Sequence, residues 1–172
     1  ARRLEGESVD YLSNWQYPAI RELAGCAGFQ ADPAWIAQTL RPSITEPQAR
    51  RALAALVHMG MLQIDPDGTT HLTDATVVTP MEVAGLAAHN YHHGMLERAQ
   101  GAITGFVPAH RYLGGVTVAV PEALIDTLKD ELKAVQARLL DMCDSAEAPS
   151  DRVMQINLQL FPLSSTTTGK PE

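Results

Sequence analysis

The chain has 172 residues, enough for one large domain or two small ones, and 45% of them are hydrophobic, enough for a buried core. No run of about 18 apolar residues predicts a membrane-spanning helix, so we expect no membrane partner. The net charge of −7 argues against a surface that attracts phosphate throughout, because nucleic-acid affinity comes largely from Lys and Arg. Residues 1–75 hold six arginines against nine acidic residues, so even this half is net −3.

The amino-terminal sequence and the cysteines indicate a cytoplasmic protein. "ARRLEGESVDYL" lacks the apolar segment of a signal peptide. Cys26 and Cys143 are far apart and form no CxxC motif, which is typical of reduced thiols. The first residue is Ala rather than Met, and we interpret the chain as a fragment or a processed product.

Two helices are predicted before residue 41. "SNWQYPAIRELAGCAG" predicts the first, with core contacts at Trp15, Ile20 and Leu23. "DPAWIAQTL" predicts the second, because Asp32 suits an N-cap and Pro33 suits the first helical position.

A third helix and a hairpin follow. Thr45 and Gln48 have the spacing of a capping box, and Gly60 predicts the end of the helix. "MLQI" and "THL" predict two short strands around the turn "DPDG". Three helices followed by a hairpin are typical of a winged helix-turn-helix. A small helical domain with an ordinary hairpin is the alternative.

The outward face of the third helix bears on whether this element reads DNA. Its expected buried residues are Ala49, Leu53, Leu56 and Val57. The residues expected to face outward are Gln48, Arg51, Ala54, Ala55 and His58, with Arg50 at the border. Base readout requires polar or basic side chains at three or four adjacent positions, and only Gln48 and Arg51 qualify. Asp65 and Asp67 in the hairpin would repel phosphate. The competing interpretation is therefore an alanine-rich surface for another protein.

The second half alternates helical and strand patterns. A helix is predicted from Met81 to about Gly101, and the β-branched stretch "VTVAV" predicts a strand. Pro121 starts a long amphipathic helix with an apolar stripe at Leu124, Leu128, Leu132, Val135, Leu139 and Met142. "RVMQINLQLFPL" alternates apolar and polar residues and predicts a half-buried strand. Two strands make only a marginal sheet, so we expect them to join the hairpin or a partner chain.

No motif predicts chemistry. His89 and His93 are one helical turn apart and could share a metal, but no third ligand accompanies them, and a polar helix face is the simpler interpretation. The sequence contains no GxSxG, P-loop or GxGxxG motif and no set of nucleophile, base and oxyanion donor. We therefore predict no enzyme activity, no metal site and no cofactor.

Several motifs together resemble one protein family. "YLSNWQYPAIRELAGCAGFQADPAWIAQTL" is similar to its Y-L-S-x-W-x-x-x-A-I-R-E-L and D-P-x-W-I-A-x-x-L patterns. "HNYHHGMLERAQGAI" resembles its H-x-x-M-L-E-x-A helix, and "DRVMQINLQLFPL" resembles a strand signature ending in N-x-Q-L-F-P-L. The family consists of bacterial transcriptional regulators in which a lambda-repressor-like helix-turn-helix precedes a domain of unknown function. The resemblance extends from about residue 9 to residue 163.

This resemblance implies that the chain is the carboxy-terminal domain of a longer regulator whose main DNA contact lies ahead of it. It implies no catalytic residues. The positions that match its motifs are Trp15, Trp35, Gly60, Asp74, His92, Asn157, Phe161 and Pro162. Most of these predict packing, whereas the polar His92 and Asn157 are candidates for a ligand contact or an internal hydrogen bond.

We therefore expect a mostly helical α+β protein. It would comprise a winged helix-turn-helix in residues 1–78, a helix-strand-helix-strand regulatory or dimerisation unit in 79–163, and a disordered tail in 164–172. If the first domain contacts DNA, the contacts would be weak and would come from Arg41, Gln48, Arg50, Arg51 and His58, with Arg41 on a phosphate. Otherwise the winged helix would serve a homodimer or another protein. The sequence identifies no small-molecule effector.

Overall fold

The computed structural model describes residues 2–3, 10–73, 77–78 and 81–169, with side chains in 10–73 and 85–169. The described residues form a mostly helical α+β structure. Its helices are α1 (Gln16–Leu23), α2 (Pro33–Thr39), α3 (Glu46–His58), α4 (Met81–Gly105) and α5 (Ile125–Asp144). Its strands pair two by two: β1 (Arg2–Arg3) runs parallel to β4 (Val77–Val78), and β2 (Leu62–Ile64) runs antiparallel to β3 (Thr70–Leu72).

Helices α2 and α3 begin where their capping residues predict. The Asp32 carboxylate accepts a hydrogen bond from the Trp35 N–H at 3.3 Å, and Pro33 follows at the first position of α2. In α3, the Thr45 hydroxyl accepts from the Gln48 N–H at 3.2 Å, while Gln48 Oε1 accepts from the Thr45 N–H at 2.9 Å. Both halves of the predicted capping box are therefore present, and each satisfies a donor that the helix itself cannot.

A single core joins these helices to β2. Its largest fully enclosed side chains are Ile20, Ile36, Leu56 and Leu62. Burial of each is worth about 1.5–3 kcal/mol relative to exposure. Tyr17 and Ala52, which the sequence did not assign to the core, are also buried.

One core prediction on α3 is wrong. Val57 is 41% exposed rather than buried. It lies seven residues after Arg50 and three after Ala54, so it shares their outward side of the helix instead of the inward side of Leu56.

A glycine makes the turn from α3 into the hairpin. Gly60 has φ of +73°, a conformation that side-chain-bearing residues rarely adopt. The Met61 N–H then donates to the Leu56 carbonyl at 2.9 Å, and the Thr73 hydroxyl donates to the Gly60 carbonyl. These contacts tie both ends of the hairpin to the end of α3, so the hairpin and the helix hold a fixed relation.

The chain divides into two compact units, Ala1–Gly101 with Pro149–Gln155, and Ala102–Ala148 with Ile156–Glu172. Within the first unit, α4 contributes the buried Ala87 and Met95. The predicted boundary at residue 78 and the predicted disorder of the tail stay predictions.

The second unit departs from the predicted helix-strand-helix-strand order. Within residues 81–169 neither "VTVAV" nor "RVMQINLQLFPL" forms a strand, so the prediction of an α/β unit is wrong for the single chain. A strand needs a hydrogen-bonded neighbour, and these two stretches do not pair with each other or with the hairpin. The regular structure of this unit consists of α5 and the carboxy-terminal end of α4. Arg111 Nη1 donates to the carbonyls of Ile103 and Phe106 at that end of α4, both at 2.6 Å.

Candidate interaction surface

The outer side of α3 and strand β2 border an open groove on the surface. It is lined by Arg50, Leu53, Ala54, Val57, His58 and Ile64. Because Arg50, Ala54 and Val57 recur at steps of four and three residues, they form one continuous helix face. The lining is almost wholly apolar apart from the two side chains at its rim, Arg50 and His58. We name this feature the α3 groove.

Three of the predicted DNA-contacting side chains make contacts with their own chain. Arg50 Nη2 lies 2.8 Å from Glu46 Oε1, one helical turn away, which offsets its charge. Gln48 places its carbonyl oxygen on the Thr45 N–H. Arg41 Nη1 donates to the carbonyls of Gln38 and, at 2.8 Å, Leu40, at the end of α2. The polar groups that DNA recognition would need thus bond to backbone groups at helix ends or form an ion pair.

Arg51 and His58 are the other two predicted contact residues. Both are exposed on α3, Arg51 one turn before Ala55 and His58 at the carboxy-terminal end in the α3 groove. Burial raises the pKa of the Tyr17 phenol, the Asp10 carboxylate raises it further, and the nearby charge of Arg51 lowers it. The structure therefore brings Arg50 and His58 together at the α3 groove and leaves Arg41 at the end of α2.

The tip of the hairpin is negatively charged. Asp65 Oδ2 lies 2.8 Å from His71 Nε2, and Asp67 accepts from the Thr69 N–H at 2.9 Å. The hydrogen bond to His71 is the main cause that holds the pKa of Asp65 below its ordinary value. The backbone N–H of Thr69 lowers the pKa of Asp67 in the same way. Both carboxyls consequently stay ionised at neutral pH, at the position where a DNA-binding wing would need positive charge.

The polar positions of the second half do not assemble a further site with α3. His92 is exposed, and its ring meets the Tyr91 ring edge-on at a centroid distance of 5.5 Å. Asn157 is half-buried and belongs to the second unit, whereas His92 belongs to the first. The motif position Asp74 lies outside the described residues.

The histidine pair on α4 is close but lacks further ligands. His89 Nε2 and His93 Nε2 are 3.1 Å apart. In the part of the chain that the structure describes, no group of three or more His, Cys, Asp or Glu side chains could hold a metal ion. Two neighbouring imidazoles can share a proton in a hydrogen bond, which accounts for the distance.

Sequence reasoning missed the α3 groove itself. It assigned Val57 to the core and treated the outward side as a row of separate candidates. The spacing of Arg50, Ala54, Val57 and His58 was the available indication, since these residues lie on one side of a helix. Ile64 could not be assigned from the sequence, because its approach to α3 depends on the turn at Gly60.

These features define a mostly helical α+β protein whose first three helices precede a hairpin. The outer side of α3 carries an apolar groove. A family model described as "Domain of unknown function (DUF4423)" matches residues 1–163, and the chain belongs to this family. No curated protein and no solved structure matches the chain. Among the described helices, none is both long enough and apolar enough to cross a membrane.

Proposed function

We propose that the chain is a regulatory domain of a bacterial transcriptional regulator, and that its first three helices and hairpin are a winged helix-turn-helix that binds a protein instead of reading DNA. Two observations support the first part: the resemblance of the motifs to such regulators, and the order of three helices and a hairpin. The second part depends on the surface of α3.

The observation that carries the proposal is the apolar α3 groove on the side of the helix where DNA readers present polar side chains. Val57 is 41% exposed there, beside the buried Leu53. Apolar side chains that line a concave surface gain free energy when a partner excludes water from them. Protein interfaces place apolar residues at their centre and charged residues at the rim, and the α3 groove is lined by the apolar Val57 together with the charged Arg50.

Electrostatics support the same conclusion. A DNA contact gains its free energy from cations that replace condensed counterions on phosphates. Arg50 is already paired with Glu46, and the hairpin tip carries Asp65 and Asp67. A duplex laid across α3 and the hairpin would meet two carboxylates that stay ionised.

An auxiliary DNA contact is the second candidate function. Gln48 and Arg51 are exposed in the amino-terminal half of α3, where reading helices make base contacts. The Gln48 amide nitrogen is not used by the capping box, which takes only Oε1. If Arg50 and Arg51 each neutralise one phosphate, the logarithm of the association constant would fall with log salt with a slope of about −1.8.

Fluorescence anisotropy of a labelled random-sequence duplex separates the two functions. The protein would be titrated to about 50 µM, within the range where non-specific binders respond, at low and at higher salt. We expect no binding. The Arg50→Ala/Arg51→Ala double variant and a matched Lys129→Ala/Lys133→Ala variant on α5 would be run beside the parent chain. Salt-sensitive binding that only the α3 variant loses would overturn the proposal and establish the DNA contact.

The α3 groove also has a direct readout. Dilute isopropanol or isobutanol collects on apolar surfaces that bind proteins, and NMR shifts of backbone amides would locate it. We expect shifts centred on Val57 and Ile64 that a Val57→Lys variant removes. If the alcohol leaves the chemical shifts of the Val57 and Ile64 amides unchanged, the α3 groove does not function as a binding surface.

A further inference from the structure

The second unit has no core of its own. None of its described residues, 102–148 and 156–169, is buried. Sixteen of its described large apolar side chains are exposed. Ordering each residue costs backbone entropy, which a unit without buried apolar side chains has little means to offset. A further surface therefore has to cover this unit for it to hold one structure.

Six of the sixteen exposed side chains lie in the two stretches that the sequence predicts as strands. In residues 116–120 the three valines, Val116, Val118 and Val120, are 87%, 65% and 40% exposed. In residues 154–160 the apolar side of the alternation faces solvent: Met154, Ile156, Leu158 and Leu160 are 38–60% exposed. The polar Asn157 of the other side is the half-buried residue. In a half-buried strand the apolar side is buried and the polar side faces solvent. In residues 154–160 the apolar side is the exposed one.

These two stretches lack every feature that protects an exposed strand edge. Natural proteins guard such edges with charged residues, prolines or bulges. Residues 112–120 and 153–161 contain no Lys, Arg, Asp, Glu or Pro. Sequences of this kind pair with another strand when one is available, and nothing in their charge would repel an identical chain.

We propose that a second copy of this chain covers the unit, and that residues 116–120 and 154–160 form their strands only across that dimer. Symmetry supports this occupant, because a two-fold axis gives each unpaired edge an identical edge and closes the sheet. Area supports it too. At roughly 100 Å² per exposed apolar side chain, the sixteen exceed the 800 Å² or so that one partner gives to a stable interface. The absence of charge disfavours nucleic acid as the occupant.

The long helix α5 is consistent with a self-associating unit. Its residues Ile125, Leu128, Leu132, Val135, Leu139 and Met142 recur at alternating steps of three and four. This is the heptad spacing by which one helix packs against another copy of itself. Met142 is 64% exposed, and the others are half-buried, so the seam is incompletely sealed in the single chain.

Sedimentation velocity of the full chain tests the dimer, at protein concentrations from about 2 µM to about 200 µM. We expect a dimer that dissociates on dilution. Val118→Asp and Ile156→Asp should each give a monomer at the highest concentration, because both side chains are exposed in the single chain. The urea unfolding of the first unit, reported by Trp15 and Trp35, should stay unchanged, because both substituted side chains belong to the second unit. Leu86→Asp on α4, at an exposed apolar side chain of the first unit, is the matched control and should remain dimeric. A monomeric parent chain, or Asp variants as dimeric as the parent, would overturn the proposal.

Hydrogen exchange tests the strands. Amides 116–120 and 154–160 should exchange quickly in the Val118→Asp monomer and at least tenfold more slowly in the dimer, because strand pairing occupies their N–H groups. Equally rapid exchange in a proven dimer would refute strand formation. The inference does not rest on the function proposed for α3, because the Asp variants of this test lie outside α3 and the duplex titration does not measure dimerisation.

Discussion

The most direct test of the surface of α3 is to change Gln48, the residue with two competing roles. In the structure its Oε1 accepts the Thr45 N–H at 2.9 Å, and its own N–H donates to Thr45 Oγ1. A substitution removes only the first of these bonds, since the second uses the backbone. The two informative variants are Gln48→Ala, which deletes the acceptor, and Gln48→Glu, which keeps an acceptor and adds a negative charge.

The expected magnitudes follow from this geometry. One exposed hydrogen bond contributes about 0.5–1 kcal/mol net, and Ala recovers a few tenths through its higher helix propensity. Gln48→Ala should therefore destabilise the first unit by up to about 0.5 kcal/mol. Gln48→Glu keeps the capping box and gains about 0.3–1 kcal/mol from the helix dipole. Glu should thus exceed Ala in stability by roughly 1 kcal/mol.

Urea unfolding followed by tryptophan fluorescence measures this difference in the right place. The two tryptophans, Trp15 and Trp35, both belong to the first unit, so the signal reports the unit that contains α3. Equal slopes with urea would confirm that only the stability differs. The sign of the change from the parent chain to Gln48→Ala is decisive. If Gln48 were not part of a capping box, Gln48→Ala would be more stable than the parent chain through propensity alone, and that result would refute the reasoning.

Three further outcomes follow from the fold. Leu56→Ala removes a side chain with no exposed surface and should destabilise the first unit by about 2–5 kcal/mol in the same urea assay. Gly60→Ala should destabilise the protein by about 1 kcal/mol because φ is +73°, although the added Cβ meets no atom within 4 Å. The control Gly101→Ala within α4 should stabilise it by about 0.5–1 kcal/mol. A Gly60→Ala variant as stable as the parent chain would contradict the conformational argument. His71→Ala should raise the pKa of Asp65 toward its ordinary 3.8, measured by NMR of the carboxyl carbon. Because the folded pKa is the lower one, the contribution of this carboxyl to stability is present above pH 3.8 and is lost as pH falls through the lowered value, so the variant should lose less stability than the parent chain over that pH range.

The first unit was predictable because its boundaries are local. The Asp32 cap, the Thr45 and Gln48 capping box and the Gly60 turn act within four residues, and each appears in the structure as predicted. Such signals do not depend on distant parts of the chain. The second unit depends on pairing. Alternation in residues 154–160 specifies which side of a strand is apolar, but a pattern of period two contains no information about which chain supplies the neighbouring strand.

The candidate site was less predictable than the fold. From its sequence position, Gln48 could act as an N-terminal cap or as a base contact, and both uses would take its side-chain carbonyl oxygen. In the structure that oxygen accepts the Thr45 N–H. Arg50 and Arg41 were likewise counted as cations without their partners, Glu46 and the end of α2. Counting charges on a helical face therefore overstates the charge available to a ligand.

The three-helix core and the outer side of α3 have different physical roles. Ile20, Ile36 and Leu56 fix how the helices cross, because enclosing them contributes most of the packing free energy, and this holds whatever the outer side carries. The residues at Arg50 and Val57 contribute little to that packing and are free to be basic or apolar. The arrangement of the first three helices is thus explained by their core, and the outer side of α3 is the part that would distinguish a DNA contact from a protein contact. In this chain that side presents an apolar groove with a neutralised arginine at its rim, beside a hairpin tip of two ionised carboxylates, and both properties favour a protein.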